Sequence, residues 1–231
     1  IEDITHLSDS DSEFVINSLK LKPEAFIEVE TYESIFLGLI TYTLKNSVEV
    51  EIIKKIEDKK RTNVFDVTLV QSLIGRERMN FVIEKSVEIG IDRIIPVESQ
   101  HANIKRRKAI KEYGLWRKVV EDATEQSRNI KPTVIEKPIK LTDLKVGNST
   151  NNICLSTENI NNMDFREYFK TINIKKPFLF AIGPEKGWGS KDIEFFKENS
   201  FQFINLKGNI LRSETTGLVV GSIIEFLKGN I

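Results

Sequence analysis

The chain has 231 residues, 40% of them apolar and 29% charged, which allows one large domain, or a small one beside a medium one, with a buried core. Its 34 Lys and Arg balance 34 Asp and Glu, so bulk charge argues against nucleic-acid binding, and no apolar run approaches the roughly 20 residues that cross a bilayer. Cys154 is the only cysteine, which excludes an internal disulfide, and with only His6 and His101 besides there are too few soft ligands for structural zinc, so no metal is expected.

The start, Ile1-Glu2-Asp3-Ile4, is acidic, has no apolar h-region and no Met. No signal peptide is expected, the location is expected to be cytoplasmic, and the first domain is expected to be N-terminally truncated. Residues 26–30 alternate apolar with acidic, 34–43 are β-branched and aromatic, and 48–52 alternate again. The first sixty or so residues therefore read as short antiparallel strands of a small β-barrel. The charged run 57–61 places a boundary near residue 63, giving domains 1–63 and 64–231; the lysines at 54–55 and 59–60 with Arg61 read as solubility.

Beyond the boundary the pattern changes. Residues 64–70 form a continuous apolar run, as in a strand covered on both faces. Residues 76–88 are helical, with Met79, Val82, Ile83 and Val87 near one stripe and Gly90 as the stop. Further strands are expected at 93–97, 133–136, 153–156, 178–182 and 201–206, with helices between them and at the C-terminus. Strands alternating with helices imply a mainly parallel α/β sheet covered on both faces, whose ligands bind at the carboxyl ends of strands. Residues 105–128 read as a long basic helix, interrupted at Gly114. Its cations Lys105, Arg106, Arg107 and Lys108 can neutralise phosphates, and Tyr113 and Trp116 can stack on bases; alternatively the face is simply solvated and Trp116 turns into the core. A polar loop is expected at 148–152.

Two loops leaving predicted strands carry unusual residues. The first runs Ile182-Gly183-Pro184-Glu185-Lys186-Gly187-Trp188-Gly189-Ser190. Its glycines permit positive φ and close approach to a ligand, with Ser190 expected to cap the next helix and Asp192 in its first turn. It lacks the Gly-Lys pair of a phosphate loop and the third glycine of a dinucleotide fingerprint. The second runs Leu206-Lys207-Gly208-Asn209-Ile210-Leu211-Arg212-Ser213-Glu214-Thr215-Thr216-Gly217. Ile210 and Leu211 could wall an adenine slot, Ser213 is a good N-cap, and Gly217 and Gly221 share a helix face suited to close packing. Each loop also reads as ordinary turn and capping chemistry.

Together the loops resemble the signature segments of the RsmE family, the 16S rRNA uracil-N3 methyltransferases of the SPOUT superfamily: G-P-E-G-G-[LFW]-[ST], then L-G-x-R-[IV]-L-R-x-E-T-[AT]. Gly183, Pro184, Glu185, Gly187 and Trp188 match the first; Leu206, Ile210, Leu211, Arg212, Glu214, Thr215 and Thr216 match the second. Gln71-Ser72-Leu73 with Met79, the run 84–90, and Trp116 with Glu125-Gln126-Ser127-Arg128 resemble further family segments. The departures are Lys186 and Lys207 for Gly, Asn209 for Arg, and Lys20 for an arginine of the N-terminal domain.

The resemblance implies a PUA-like N-terminal barrel that holds RNA and a SPOUT domain whose C-terminal segment forms a trefoil knot. It implies a homodimer acting on 16S rRNA or the assembling small subunit, with S-adenosylmethionine as cofactor and no membrane. The implied cofactor contacts are Leu155, Ser156, Ile182, Gly183, Glu185, Gly187, Leu206, Gly208, Ile210, Leu211, Thr215 and Thr216. Arg212 is the candidate cation beside the uracil carbonyls, and Glu214 the candidate to orient it or accept the proton. Glu185 has the alternative of only holding its loop. Lys20, Lys105, Arg106, Arg107 and Arg128 are the candidate RNA contacts. Alternatives are a knotted methyltransferase of tRNA or ribose 2′-hydroxyls, a catalytically silent RNA-binding homologue, and an unrelated nucleotide-binding enzyme.

Overall fold

Alternation of apolar and acidic side chains from residue 26 to 52 builds an antiparallel sheet in the computed structural model, which describes residues 3–31, 34–45, 47–58, 65–127, 131–147, 150–157 and 163–231. The chain divides into two compact units, Ile1–Asn63 and Val64–Ile231. In the first, β1 (Asp3–His6), β2 (Phe26–Glu30), β3 (Ser34–Leu44) and β4 (Ser47–Asp58) pair antiparallel in the order β1-β4-β3-β2. Val15, Ile40, Val48 and Val50 form its buried centre.

Not all of this unit is strand. α1 (Asp9–Glu13) leads into a π-helical turn at Phe14–Ser18. The segment has no apolar period to betray a helix; Ser8 initiates it, its Oγ accepting from the Asp11 N–H at 3.1 Å. β1 was likewise unexpected, and it pairs with β4 through residues 49–52.

The second unit holds an eight-stranded sheet. Its elements are β5 (Val67–Ser72), α2 (Arg76–Glu88), β6 (Arg93–Glu98), α3 (Arg106–Ser127), β7 (Val134–Ile135), β8 (Ile139–Lys140), β9 (Asn151–Leu155), β10 (Met163–Asp164), α4 (Phe165–Thr171), β11 (Phe178–Ile182), α5 (Ser190–Glu198), β12 (Gln202–Asn205) and α6 (Ser213–Lys228). The order is β10-β12-β9-β11-β5-β6-β7, with β8 also on β6, and every pairing is parallel. The expected mainly parallel α/β sheet with covered faces is therefore what forms. Along β5 the side chains alternate between two cores: Val67 and Leu69 face α2, α3, α4 and α6, while Val70 faces α5 and the segment after β8. Val64, the run 59–61 at the domain boundary, and residues 148–149 of the polar loop lie outside the described residues.

One reading of α3 is corrected, and of the two readings of Trp116 the core one is what forms. Gly114 does not interrupt α3, because a single glycine costs about 1 kcal/mol in a helix, little against the packing of Ala109, Trp116, Val120 and Ala123. Trp116 is fully buried in the core, so it cannot stack on a base; Tyr113 is half-buried and its hydroxyl donates to the Ile135 carbonyl at 3.2 Å. Over the middle of the sheet, α6 lies close on β5 and β11 as its small face implies. A Cβ at Gly221 would stand 3.0 and 3.1 Å from the Cδ1 atoms of Ile89 and Ile91, whereas one at Gly217 would meet only ordinary contacts.

Candidate active site

In an all-parallel sheet every carboxyl end lies on the same edge, so the loops after β9, β11 and β12 emerge together. They enclose a cavity of about 740 Å³, whose lining includes Leu155 and Ser156 from the first loop, Gly183, Pro184, Glu185 and Gly187 from the second, and Leu206, Gly208 to Arg212 from the third. That volume is in the range of sites that enclose a small molecule.

The second loop is rigid for identifiable reasons. The Gly187 N–H donates to the Pro184 carbonyl at 2.9 Å, closing a turn that needs φ of +71° at Gly187. Trp188 is buried, and its indole N–H donates to the Leu155 carbonyl at 3.0 Å, tying this loop to the end of β9. Gly183 lies so close that an added Cβ would sit 3.2 Å from the Trp188 ring. Ser190 is the first residue of α5 and Gly189 takes the cap position expected for it. The buried Asp192 carboxylate accepts from the Gly189 N–H at 2.9 Å and from the Gln100 N–H at 3.0 Å. The Arg78 guanidinium, in the first turn of α2, pairs with Glu185 at the cavity wall.

The third loop turns at Gly208, φ +110°. Lys186, Lys207 and Asn209 are not among the described residues with positive φ, so none occupies a backbone conformation reserved for glycine. Lys207 instead pairs with Asp164 at 3.3 Å. Ile210 lines the cavity with 83% of its surface exposed, an apolar side chain with no protein neighbour to cover it. Arg212 caps α6 through its backbone, its exposed side chain lines the cavity, and no ion pair to it is formed among the described residues.

Beneath the loops runs a buried polar chain. Gln71 Nε2, on β5, donates to Ser213 Oγ at 3.0 Å, and that hydroxyl donates to the Gly183 carbonyl at 2.6 Å. Ser213, expected as an N-cap, is the first residue of α6 and spends its hydroxyl on this link instead.

Eleven of the twelve cofactor candidates line the cavity; Thr215 does not. Of the catalytic pair Arg212 does and Glu214 does not. The reason is helical rotation of about 100° per residue: Glu214 turns inward, buried with Oε2 unpartnered, and Thr215 turns to solvent. Arg78, Pro184, Trp188, Ile204, Asn205 and Ser213 also line it and were not among the candidates. Arg78 lies one residue before Met79 in a stretch the family resemblance already covered, and that was the signal available. Cys154, at the sheet centre, is fully buried; desolvation first, then the Asp192 charge, pushes its thiol well above the ordinary range, so it is no nucleophile. No group of residues suited to a metal occurs among the described residues.

Of the RNA candidates, Lys20 and Arg107 are exposed, Lys105 is exposed and pairs with Glu98 at 3.4 Å, and Arg106 is half-buried with its backbone N–H donating to Glu98 at 2.7 Å. Arg128 lies outside the described residues.

Residues 60–225 match the family described as RNA methyltransferase domain. The chain is 29% identical over 184 residues to a ribosomal RNA small subunit methyltransferase E of Aquifex aeolicus, covering 78% of this chain and 76% of that protein. It is 27% identical over 237 residues to a protein of the same name from Buchnera aphidicola, covering 97% and 88%. Among solved structures it resembles the Neisseria gonorrhoeae ribosomal RNA small subunit methyltransferase E bound to S-adenosyl methionine, with a TM-score of 0.76, 24% identity, and 98% and 93% of the two chains covered. A probable rRNA-methyltransferase of Porphyromonas gingivalis gives 0.80, 21% identity, and 97% and 93%.

Proposed function

We propose, from the premise that this chain belongs to the RNA methyltransferase domain family, that it uses S-adenosylmethionine to methylate N3 of a uridine in 16S rRNA of the small ribosomal subunit. The observation that carries this reading is the convergence of three strand-end loops on one cavity with an unpaired arginine at its wall. The residues present suit the cofactor. Glycine backbone permits close approach, and Leu155, Ile182, Leu206, Ile210 and Leu211 offer an apolar wall to a purine. Backbone N–H groups of the three loops are placed to supply hydrogen bonds. When bound, the cofactor supplies an already activated methyl group.

The protein's task is alignment and charge. N3 of uracil is largely protonated at neutral pH, so its anion must be favoured. Arg212 does this by facing the uracil carbonyls as negative charge develops there. Glu214, buried beneath the cavity lining, is the group to orient Arg212 or to accept the proton, directly or through water.

The unit Ile1–Asn63 is read as a PUA-like barrel that holds RNA through Lys20, and the unit Val64–Ile231 as a SPOUT domain with RNA contacts at Lys105, Arg106, Arg107 and Arg128. The trefoil knot is supported by the chain's path. From β11 it passes to β12 beyond β9, then returns to lay α6 against β5 and β11. Exposed Val219 and Phe226 on α6 support a homodimer. Among the described residues no helix is long and apolar enough to cross a membrane, and a cytoplasmic location fits an enzyme of ribosomal RNA.

The test is transfer of labelled methyl from S-adenosylmethionine to rRNA from a strain lacking the homologous enzyme, with mass spectrometry of the nucleosides. The expected product is 3-methyluridine. A 2′-O-methyl nucleoside or a tRNA product would replace this substrate, and absence of donor binding by calorimetry would identify a silent homologue.

A further inference from the structure

Gln71 occupies a place where an apolar side chain is the ordinary choice. It is the fifth residue of β5, all of whose side chains are buried, and it is itself fully inaccessible. Its neighbours across the sheet are Ile182 on β11 and Pro96 on β6. A leucine or methionine would fill this volume without desolvating a carboxamide, and the carboxamide is only half used, because Oε1 has no partner.

The other half fixes a geometry. Nε2 donates to the Ser72 carbonyl at 3.1 Å and to Ser213 Oγ at 3.0 Å. The Ser213 proton is given to the Gly183 carbonyl, so toward Gln71 that oxygen can only accept. The direction of the chain is therefore set: amide to hydroxyl to carbonyl. It joins a central strand, the first residue of the second loop and the first residue of α6. Arg212 is the residue before Ser213, and both Gly183 and Ser213 line the cavity.

Resting on the reading of this cavity as the methyl-donor site, we infer that Gln71 is a positioning residue. It clamps the root of the Gly183 loop to the first turn of α6 and thereby sets where Arg212 stands. Gln71 touches neither donor nor base in this arrangement; it acts through Ser213. A buried polar group kept at a cost to stability, where shape alone would not need it, is the mark of a residue retained for geometry.

The test compares the wild type with Gln71→Met, which keeps the shape and removes the donor, Ser213→Ala, and the double variant. Three readouts are taken: melting temperature, kcat and KM for the RNA, and hydrogen exchange of amides 208–216 in the protein without donor. The expected result is an unchanged or higher melting temperature for Gln71→Met, kcat lower by about tenfold or more with KM for RNA within about twofold, and exchange at 208–216 faster by about tenfold. The double variant should be no worse than the poorer single one, since both break one chain. Full kcat in Gln71→Met, or a loss that only follows a lowered melting temperature, would overturn the inference. If the wild type itself bound no S-adenosylmethionine, the functional reading would fail, while the exchange measurement would still decide whether Gln71 clamps α6.

Discussion

Trp188 and Leu155 are joined by one hydrogen bond, 3.0 Å from indole Nε1 to the carbonyl oxygen, and through it a loop of β11 is fastened to the end of β9. The same ring carries Gly183 on one side and Phe196 on another, with centroids 4.7 Å apart in an edge-on arrangement.

Trp188→Phe keeps the aromatic packing and removes the donor. It is expected to destabilise the fold by about 1–3 kcal/mol and to weaken S-adenosylmethionine binding severalfold, because the walls of the cavity lose their tie. Thermal unfolding and calorimetry measure the two effects. An unchanged donor affinity would mean that the loop holds its position without the bond.

Arg212→Ala is expected to lower kcat by about 10²–10³ with no loss of stability, since the side chain is exposed. Arg212→Lys should recover only part of that loss, a compact ammonium being a poor substitute for a planar fork of donors. Single-turnover methyl transfer separates this from an effect on product release. Full activity of the alanine variant would remove Arg212 from the chemistry.

Lys186→Gly restores the residue usual in the RsmE family and is expected to change donor affinity by no more than about twofold. Lys186 does not occupy positive φ, so the glycine gains nothing in the fold and loosens the unfolded chain, at a cost of about 0.4–1 kcal/mol. Lowered stability with unchanged calorimetric affinity is the signature. A large gain in affinity would show that the lysine side chain obstructs the cavity.

Gly189→Ala places a Cβ inside the contact distance of the Gln100 carboxamide and its Cβ. Gln100 Oε1 accepts from the Lys191 N–H at 3.2 Å, so the substitution displaces an acceptor from the first turn of α5 as well as crowding it. The expected loss is about 1–3 kcal/mol, read from denaturant unfolding.

Stability should fall as pH rises from about 4.5 to about 7 because of Glu225. Burial, first of all, and the nearby Asp92 and Asp66 raise its carboxyl to about 7 from the ordinary 4.5, against the opposing Asn230 hydrogen bond and the Lys228 charge. The folded state binds this proton more tightly than the unfolded one, so the contribution is complete below about pH 4.5 and is lost as pH rises through about 7. Glu225→Gln is expected to flatten the stability profile between pH 5 and 8 and to be more stable at pH 8, by up to about 3 kcal/mol. Urea midpoints across that range check it; an equal slope in both proteins would sink the assignment.

Elements with a clean period were legible from residue types alone. The helix Arg76–Glu88 and the strand Phe178–Ile182 stand where the apolar stripe and the continuous apolar run put them. Helical segments without such a period, α1 above all, were not, because a serine cap and local hydrogen bonds decide them. Loop membership of the cavity was legible as well, since glycine placement and strand ends mark it. The facing of Glu214 and Thr215 was not, because a motif written along a line does not say how a helix rotates its successive side chains. Gln71 and Arg78 come from β5 and α2, and only the parallel pairing of β11 with β5 brings them under the loops. Trp116 shows the converse: its basic neighbours left both base stacking and burial open, and its own bulk took it into the core.

The strand order has a consequence for biosynthesis. β9 is central to the cavity yet lies between β11 and β12, and α6 must come back past β9 and β11 to reach β5. Ser213, which locks the cavity floor, is made only after residue 212. A chain in which α6 has not yet docked has the sheet but no closed pocket, so competence to bind a donor arrives only when α6 packs on β5 and β11.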